Sequence, residues 1–269
     1  MIKSFLQYVQ HIELAVNEAR ELTATGTRAV DRSNSKVLLF SPHPDDECIF
    51  GLLPLRLQQE SRKEIINIPV TFGSKLERQA ERSKELDNAC AYLGWDCHHE
   101  RDDLNSLTVD DVFSVLEKFQ PDIIFLPHDD DWNSRHISTH YLIVEALKQM
   151  EDFTCLTVET EFWGAMKDPN LMVEASSIHV AELAAATSLH VGEVARNPYH
   201  LLLPAWMQDN VRRGGELIGG QGGAASQYSF ATLYRLRKWK NGGFQKVLEY
   251  GKYLGVEPAE NNLADLFTQ

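Results

Sequence analysis

The chain has 269 residues, 43% of them hydrophobic and 24% charged, with a formal net charge of −13 and an isoelectric point of about 5.2. That suits a soluble globular protein with one large domain, or a core with an elaborated cap. No basic stripe offsets the acidity, which argues against nucleic acid as a partner, and no apolar run reaches the ~18 residues of a membrane-spanning helix.

The N-terminal segment places Phe5, Leu6, Val9, Ile12 and Val16 at helical spacing among polar residues. It predicts an amphipathic helix within residues 1–30, docked on the core or on a neighbouring subunit, rather than a secretory signal. It is not rich in Lys or Arg, which argues against a membrane surface. The polar stretch Asp31 to Lys36 leads into an apolar strand, Val37–Phe40, and a helix is expected from Ile49 to about Glu60. A second strand, Ile65–Phe72, precedes a long helix. That helix has Leu76, Ala80, Leu86, Cys90 and Leu93 on one face and Gly94 at its C-cap. A helix over Val109–Phe119 ends before Pro121, and Ile123–Leu126 is the third strand. A helix from about Ser138 to Met150 and a strand-like run Cys155–Phe162 close the regular region. Strands alternating with helices over 36–164 predict an α/β fold with a mostly parallel sheet. From residue 165 to 269 the pattern predicts a cap of helices and long loops over the sheet's ligand edge. The basic cluster Arg235, Arg237, Lys238 and Lys240 reads as a solvated face.

Cys48, Cys90, Cys97 and Cys155 show no Cys-x-x-Cys spacing. Few, scattered cysteines suggest a reducing compartment, hence the cytoplasm.

Two polar loops follow apolar strands. One is Ser41-Pro42-His43-Pro44-Asp45-Asp46-Glu47; the other runs from His128 through Asp129, Asp130, Asp131 and His136 to His140. In a parallel sheet both lie at the carboxyl edge, so their His and Asp residues can meet in one crevice. The sequence Pro-Asp-Asp-Glu is also a good helix start, and the second cluster is what tips the balance towards chemistry. His43 and Asp46 can hold one divalent ion with a third ligand from the second loop. Three protein ligands leave room for water, the catalytic arrangement for zinc. Asp45 can then act as general base. His136 and His140 share a helix face; one completes the metal site and the other stabilises an oxyanion. Arg82 and Glu85 are spaced to pair with each other on the long helix. Arg82 as a substrate contact is the competing reading. Tyr199, His200, Trp206 and Arg212 are candidate sugar contacts in a region that looks loop-like. The glycines of 214–223 suggest a flexible turn or lid.

These motifs resemble the LmbE/PIG-L family of zinc-dependent N-acetylglucosaminyl deacetylases. Three stretches carry the likeness: Pro42 to Glu47, Arg82-Ser83-Lys84-Glu85 ending at Leu93-Gly94, and Pro121-Asp122-Ile123-Ile124 running to His140. The resemblance implies a Rossmann-like fold, one zinc per chain, with other divalent ions able to take its place, and removal of an acyl group from a small amino-sugar amide; a homo-oligomer is the separate expectation that goes with an N-terminal helix docked on a neighbouring subunit. It makes His43 and Asp46 ligands and Asp45 the base. The family's third ligand is the last His of His-x-Asp-His, where this chain has His136-Ile137-Ser138-Thr139-His140. On that basis His140 is expected as the third ligand and His136 as the oxyanion-stabilising group. Two other functions compete: a non-haem iron oxygenase using a His/Asp/His triad, and a non-catalytic sugar-binding module.

Overall fold

The computed structural model describes residues 2–30, 33–258 and 260–267; Asp31, at the start of the expected polar stretch, lies outside them. In chain order the elements are α1 (Ile2–Ala19), β1 (Lys36–Ser41), α2 (Asp46–Ile49), α3 (Leu52–Ser61), β2 (Glu64–Pro69), α4 (Leu76–Leu93) and β3 (Asp96–Cys97). Next come α5 (Val109–Phe119), β4 (Ile123–Pro127), α6 (Ser134–Gln149), β5 (Cys155–Thr160), β6 (Leu171–Glu174), α7 (Ser177–Ser188) and α8 (Val191–Val194). The chain continues through α9 (Tyr199–Leu217), β7 (Ala231–Lys240), β8 (Gly243–Lys246), β9 (Lys252–Leu254) and α10 (Leu263–Phe267).

One sheet runs through the molecule in the order β3-β2-β1-β4-β5-β7-β6-β9, with β8 hairpinned onto β7. From β3 to β5 every pairing is parallel. The apolar run of β1 is explained by cover on both faces. Val37 and Leu39 enter one core with α2, α3, α4 and α7, while Leu38 and Phe40 enter another with α5 and α6. Several ends are set locally. Gly94 caps α4 at φ 72°. Thr108 and Asp111 form a reciprocal capping box at the start of α5.

The fold is the expected α/β arrangement with a mostly parallel sheet and an N-terminal helix. Three details differ. First, α1 buries none of its residues, and Phe5 is 65% exposed. It does not dock on the core, contrary to the first of the two expectations for it. Second, residues 165–269 do not merely cap the sheet but extend it by four strands, β6 to β9. The basic cluster in β7 is no solvated face at its first two positions. Arg235 and Arg237 both pair with the buried Glu159 of the neighbouring β5. Third, the segment from Tyr199 through Gly215 is helix, not loop. Gly214 lets α9 lie close on β6, since a Cβ there would collide with Met172 Sδ.

Candidate active site

The sheet reverses its winding between β1 and β4, which are parallel neighbours in register Val37↔Ile123. Their carboxyl ends therefore open side by side, at a topological switch point where such sheets bind ligands. The loop after β1 bears His43, Asp45 and Asp46; the loop after β4 enters α6, capped by Asn133, with His136 in its first turn.

One carboxylate oxygen organises the centre. Asp46 Oδ2 accepts from the His43 backbone N–H at 2.9 Å and lies 3.2 Å from His43 Nδ1 and 3.3 Å from His136 Nε2. Donor atoms of His43, Asp46 and His136 all fall within 4.8 Å of one another. His136 Nε2 is buried with no hydrogen-bond partner, while its Nδ1 faces Asp131 Oδ2 at 3.5 Å. An unpartnered ring nitrogen aimed at a carboxylate, with a second carboxylate behind the ring, is the donor set of a histidine-ligated divalent cation such as zinc. These residues fit a metal on that ground.

Burial would raise the Asp46 carboxyl, but the His136 and His43 imidazoles hold it well below the usual range. Burial opposes charging of His136, yet Asp46 and Asp131 push it up to about 10. Asp45 goes the other way. Burial, then the Asp46 and Glu47 carboxylates, raise it well above the usual carboxylate range. Its backbone sits at φ 105°, a left-handed conformation rare for a residue with a side chain. Glu47 supports this turn: its Oε2 accepts the Asp45 N–H at 2.9 Å, and its Oε1 lies 2.7 Å from His190 Nε2.

The structure thus brings His136, not His140, beside His43 and Asp46. His140 lies one turn further along α6. Its Nδ1 is 2.9 Å from the Pro127 carbonyl and 3.7 Å from Glu159. The one-turn rise is enough to carry it under β4 and out of the crevice.

A cavity of about 480 Å³ opens over the centre. Among its lining residues are His43, Asp45, Asn133, Trp163 and Tyr199, with Lys75, Arg78, Arg82 and Arg196 as cations. Arg82 and Glu85 do not pair. Arg82 donates to the Pro44 carbonyl at 2.9 Å, steadying the motif loop, and Glu85 accepts the Gly192 N–H at 2.7 Å. Arg78, Arg82 and Arg196 instead surround a single carboxylate, Glu193. Of the four candidates on α9, Tyr199 alone lines this cavity. His200 is buried elsewhere, Trp206 packs against Phe162 at 5.4 Å, and Arg212 pairs at the surface with Asp209.

The geometry is that of an α/β sheet whose switch-point crevice sets the half-buried His43 beside the buried Asp46 and His136, three residues that could hold a metal ion. Residues 38–147 match the family model described as PIG-L: GlcNAc-PI de-N-acetylase. The matched stretch spans the motif loop after β1 and the loop that enters α6. Among solved structures, the chain is similar to N,N'-diacetylchitobiose deacetylase from Pyrococcus horikoshii, with 19% identity, a TM-score of 0.56 and coverage of 75% of this chain and 83% of that one. It is also similar to GalB, the 4-carboxy-2-hydroxymuconate hydratase from Pseudomonas putida KT2440, at 18% identity and TM-score 0.58, covering 80% and 98%. The zinc-inhibited form of teicoplanin deacetylase Orf2 matches at 14% identity and TM-score 0.53, covering 77% and 99%. At these identities the likeness is one of fold. No curated protein matches in sequence. Among the described residues no helix is long and apolar enough to cross a membrane.

Proposed function

We propose that the protein is a metal-dependent hydrolase that removes an acyl group, acetyl in the simplest case, from the nitrogen of a small amino sugar or sugar conjugate. The observation that carries this is the His43–Asp46–His136 set, its Asp46 and His136 buried and His136 Nε2 without a hydrogen-bond partner, within the stretch that the family model matches. These three residues would hold the ion, zinc by donor chemistry, and a bound zinc would supply Lewis acidity towards water and the amide oxygen. Asp131 holds the His136 ring so that Nε2 faces the site. Asp45 takes the proton of the attacking water at its carboxylate and delivers it to the leaving amine. Its raised proton affinity suits that task, and Glu47 fixes its backbone. His136, as a ligand in this proposal, leaves the oxyanion role expected of it; Tyr199 and Asn133 are the polar groups at the cavity wall that can take it. Four free thiols are compatible with a reducing compartment such as the cytoplasm.

One observation favours a second reading. The cavity wall carries four cations against the carboxyl groups of Asp45 and Glu193, an excess that suits a substrate with a negative group, and one fold relative is named a hydratase of a carboxylate-bearing substrate. Both readings meet in one experiment. Zinc-loaded protein is offered N-acetylated sugars, their acidic conjugates and unsaturated polycarboxylates. Released acetate is measured alongside loss of alkene absorbance. Acetate release that falls by ~10²–10⁴-fold in Asp45→Asn, with zinc retained, is the expected result. Alkene hydration without acetate release overturns the hydrolase assignment.

A further inference from the structure

A second group of soft and hard donors lies away from the crevice, where α4 meets the edge strand β3. Asp87 and Cys90 are i and i+3 on α4, so they share a face of the helix. Cys97 is the last residue of β3, and His99 follows two residues on. His99 Nε2 lies 2.7 Å from Asp87 Oδ1 and 3.5 Å from Cys97 Sγ. Donor atoms of Asp87, Cys97 and His99 are all within 4.8 Å of one another. The Cys90 thiol in turn contacts that of Cys97.

An ordinary ion pair does not explain this convergence. One ring nitrogen carries at most one hydrogen, yet this one faces a carboxylate and a sulfur together. A catalytic relay does not explain it either, since a relay would use the two ring nitrogens separately. Donors around a shared zinc, at roughly 2.0–2.3 Å each, stand about 3–4 Å apart. The sulfur–nitrogen separation already satisfies that, and the histidine–carboxylate pair needs only to open slightly. Phe72 stacks on the His99 ring at 5.6 Å with 4° between planes, which fixes the ring's orientation. Half of the Asp87 side chain is exposed, so an ion can enter from solvent.

We propose that Asp87, Cys97 and His99 form a second zinc site that clips α4 to the sheet edge. Sulfur and imidazole together favour zinc over magnesium or calcium. The clip backs Phe72, which also lines the catalytic cavity, so the ion braces one wall of that cavity. The site is independent of the hydrolase assignment, because its ligands are not those of the crevice.

The two sites differ in a way that spectroscopy reads directly: only the second contains sulfur. Full-length protein stripped with a chelator and reloaded with cobalt(II) should show thiolate-to-cobalt charge transfer in the near ultraviolet. The band should vanish in Cys97→Ser and survive in both Cys90→Ser and His136→Ala. A band that persists in Cys97→Ser, whether from Cys90 or from the buried Glu47–Cys48–His190 group, would overturn the proposal. No band in the wild type at saturating cobalt would do the same. Should Cys97→Ser not fold, the wild type gives a second readout. Zinc should slow alkylation of Cys97 there but not in His99→Ala. Equal alkylation with and without zinc, or ready formation of a Cys90–Cys97 disulfide in zinc's presence, counts against the site.

Discussion

Two regions of the sheet bury charged side chains, and they do so to opposite ends. At the carboxyl edge of β1 and β4, Asp46, His43 and His136 gather with a ring nitrogen left without a partner. Across β5 and β7, Glu159 is equally buried but saturated. Arg235 grips both its oxygens at 2.7 and 2.6 Å, and Arg237 adds a contact at 2.7 Å. Arg235 also reaches Asp129 and Asp168. Burial of charge is therefore not the mark of a functional site here. The mark is the convergence of metal-ligating atoms from two loops on one point at the sheet's carboxyl edge, where His43, Asp46 and His136 bring one donor atom each within 4.8 Å of the others.

The largest effect that would break this contrast is on metal content. His136→Ala should abolish metal binding in the crevice and the activity with it, whereas His140→Ala should keep the metal, since its ring nitrogen already has the Pro127 carbonyl. Metal analysis of the two variants decides. The same titration against pH gives the sign independently. Without metal, the folded-state His136 titrates near 10, above its ordinary value of 6.5. Its protonated form therefore stabilises the metal-free fold fully below ~6.5, and this contribution is lost as pH rises towards ~10. A metal must displace that proton, so apparent affinity should rise with pH across the same window. Retained metal in His136→Ala, or affinity that falls with pH, would place the ion elsewhere.

A smaller effect, on stability alone, is expected from the saturated region. Arg235→Met removes a guanidinium from a fully buried carboxylate and should cost roughly 3 kcal/mol in denaturant unfolding. Metal content should not change. If metal is lost with stability, the two regions are one cooperative network and the contrast drawn above fails.

How much of this the sequence could show depends on how local each signal was. His43, Asp45 and Asp46 lie in a five-residue motif after an apolar strand, so their meeting point followed from topology alone. Whether His136 or His140 joined them did not, because both share a helix face and one turn of rise decides which reaches the crevice. The strand β7 was obscured by its own charges. Arg235 and Arg237 alternate with Leu236 as a half-buried strand should, but basic residues read as solvent-facing unless their acidic partners on β5 are known. The cavity wall was least legible of all. Arg78, Glu193 and Arg196 come from α4 and from the region around α8, more than a hundred residues apart in sequence, and no local pattern announces that they converge. A residue count offered one clue: Arg78 and Arg82 stand four apart on α4 and so present the same face.

The smallest expected effects concern α9, where the candidates were chosen by residue type rather than position. Tyr199 opens the helix and faces the cavity; its ring packs edge-on against Trp163 at 5.6 Å, and both line the cavity. Arg212 lies more than three turns further on, at the exposed end of an ion pair with Asp209. An exposed pair of this kind contributes little to folding, and a residue so far along the helix has no path to the substrate. Tyr199→Phe should therefore change kcat or KM on whichever acylated substrate the screen yields, with unfolding unchanged, as expected where a hydroxyl is lost from a cavity wall. Arg212→Ala should leave both kinetics and stability where they were. Should Arg212→Ala impair catalysis while Tyr199→Phe does not, the substrate must extend beyond the cavity along the outer face of α9. The wall formed by Glu193, Arg196 and Tyr199 would then be scaffold rather than recognition surface.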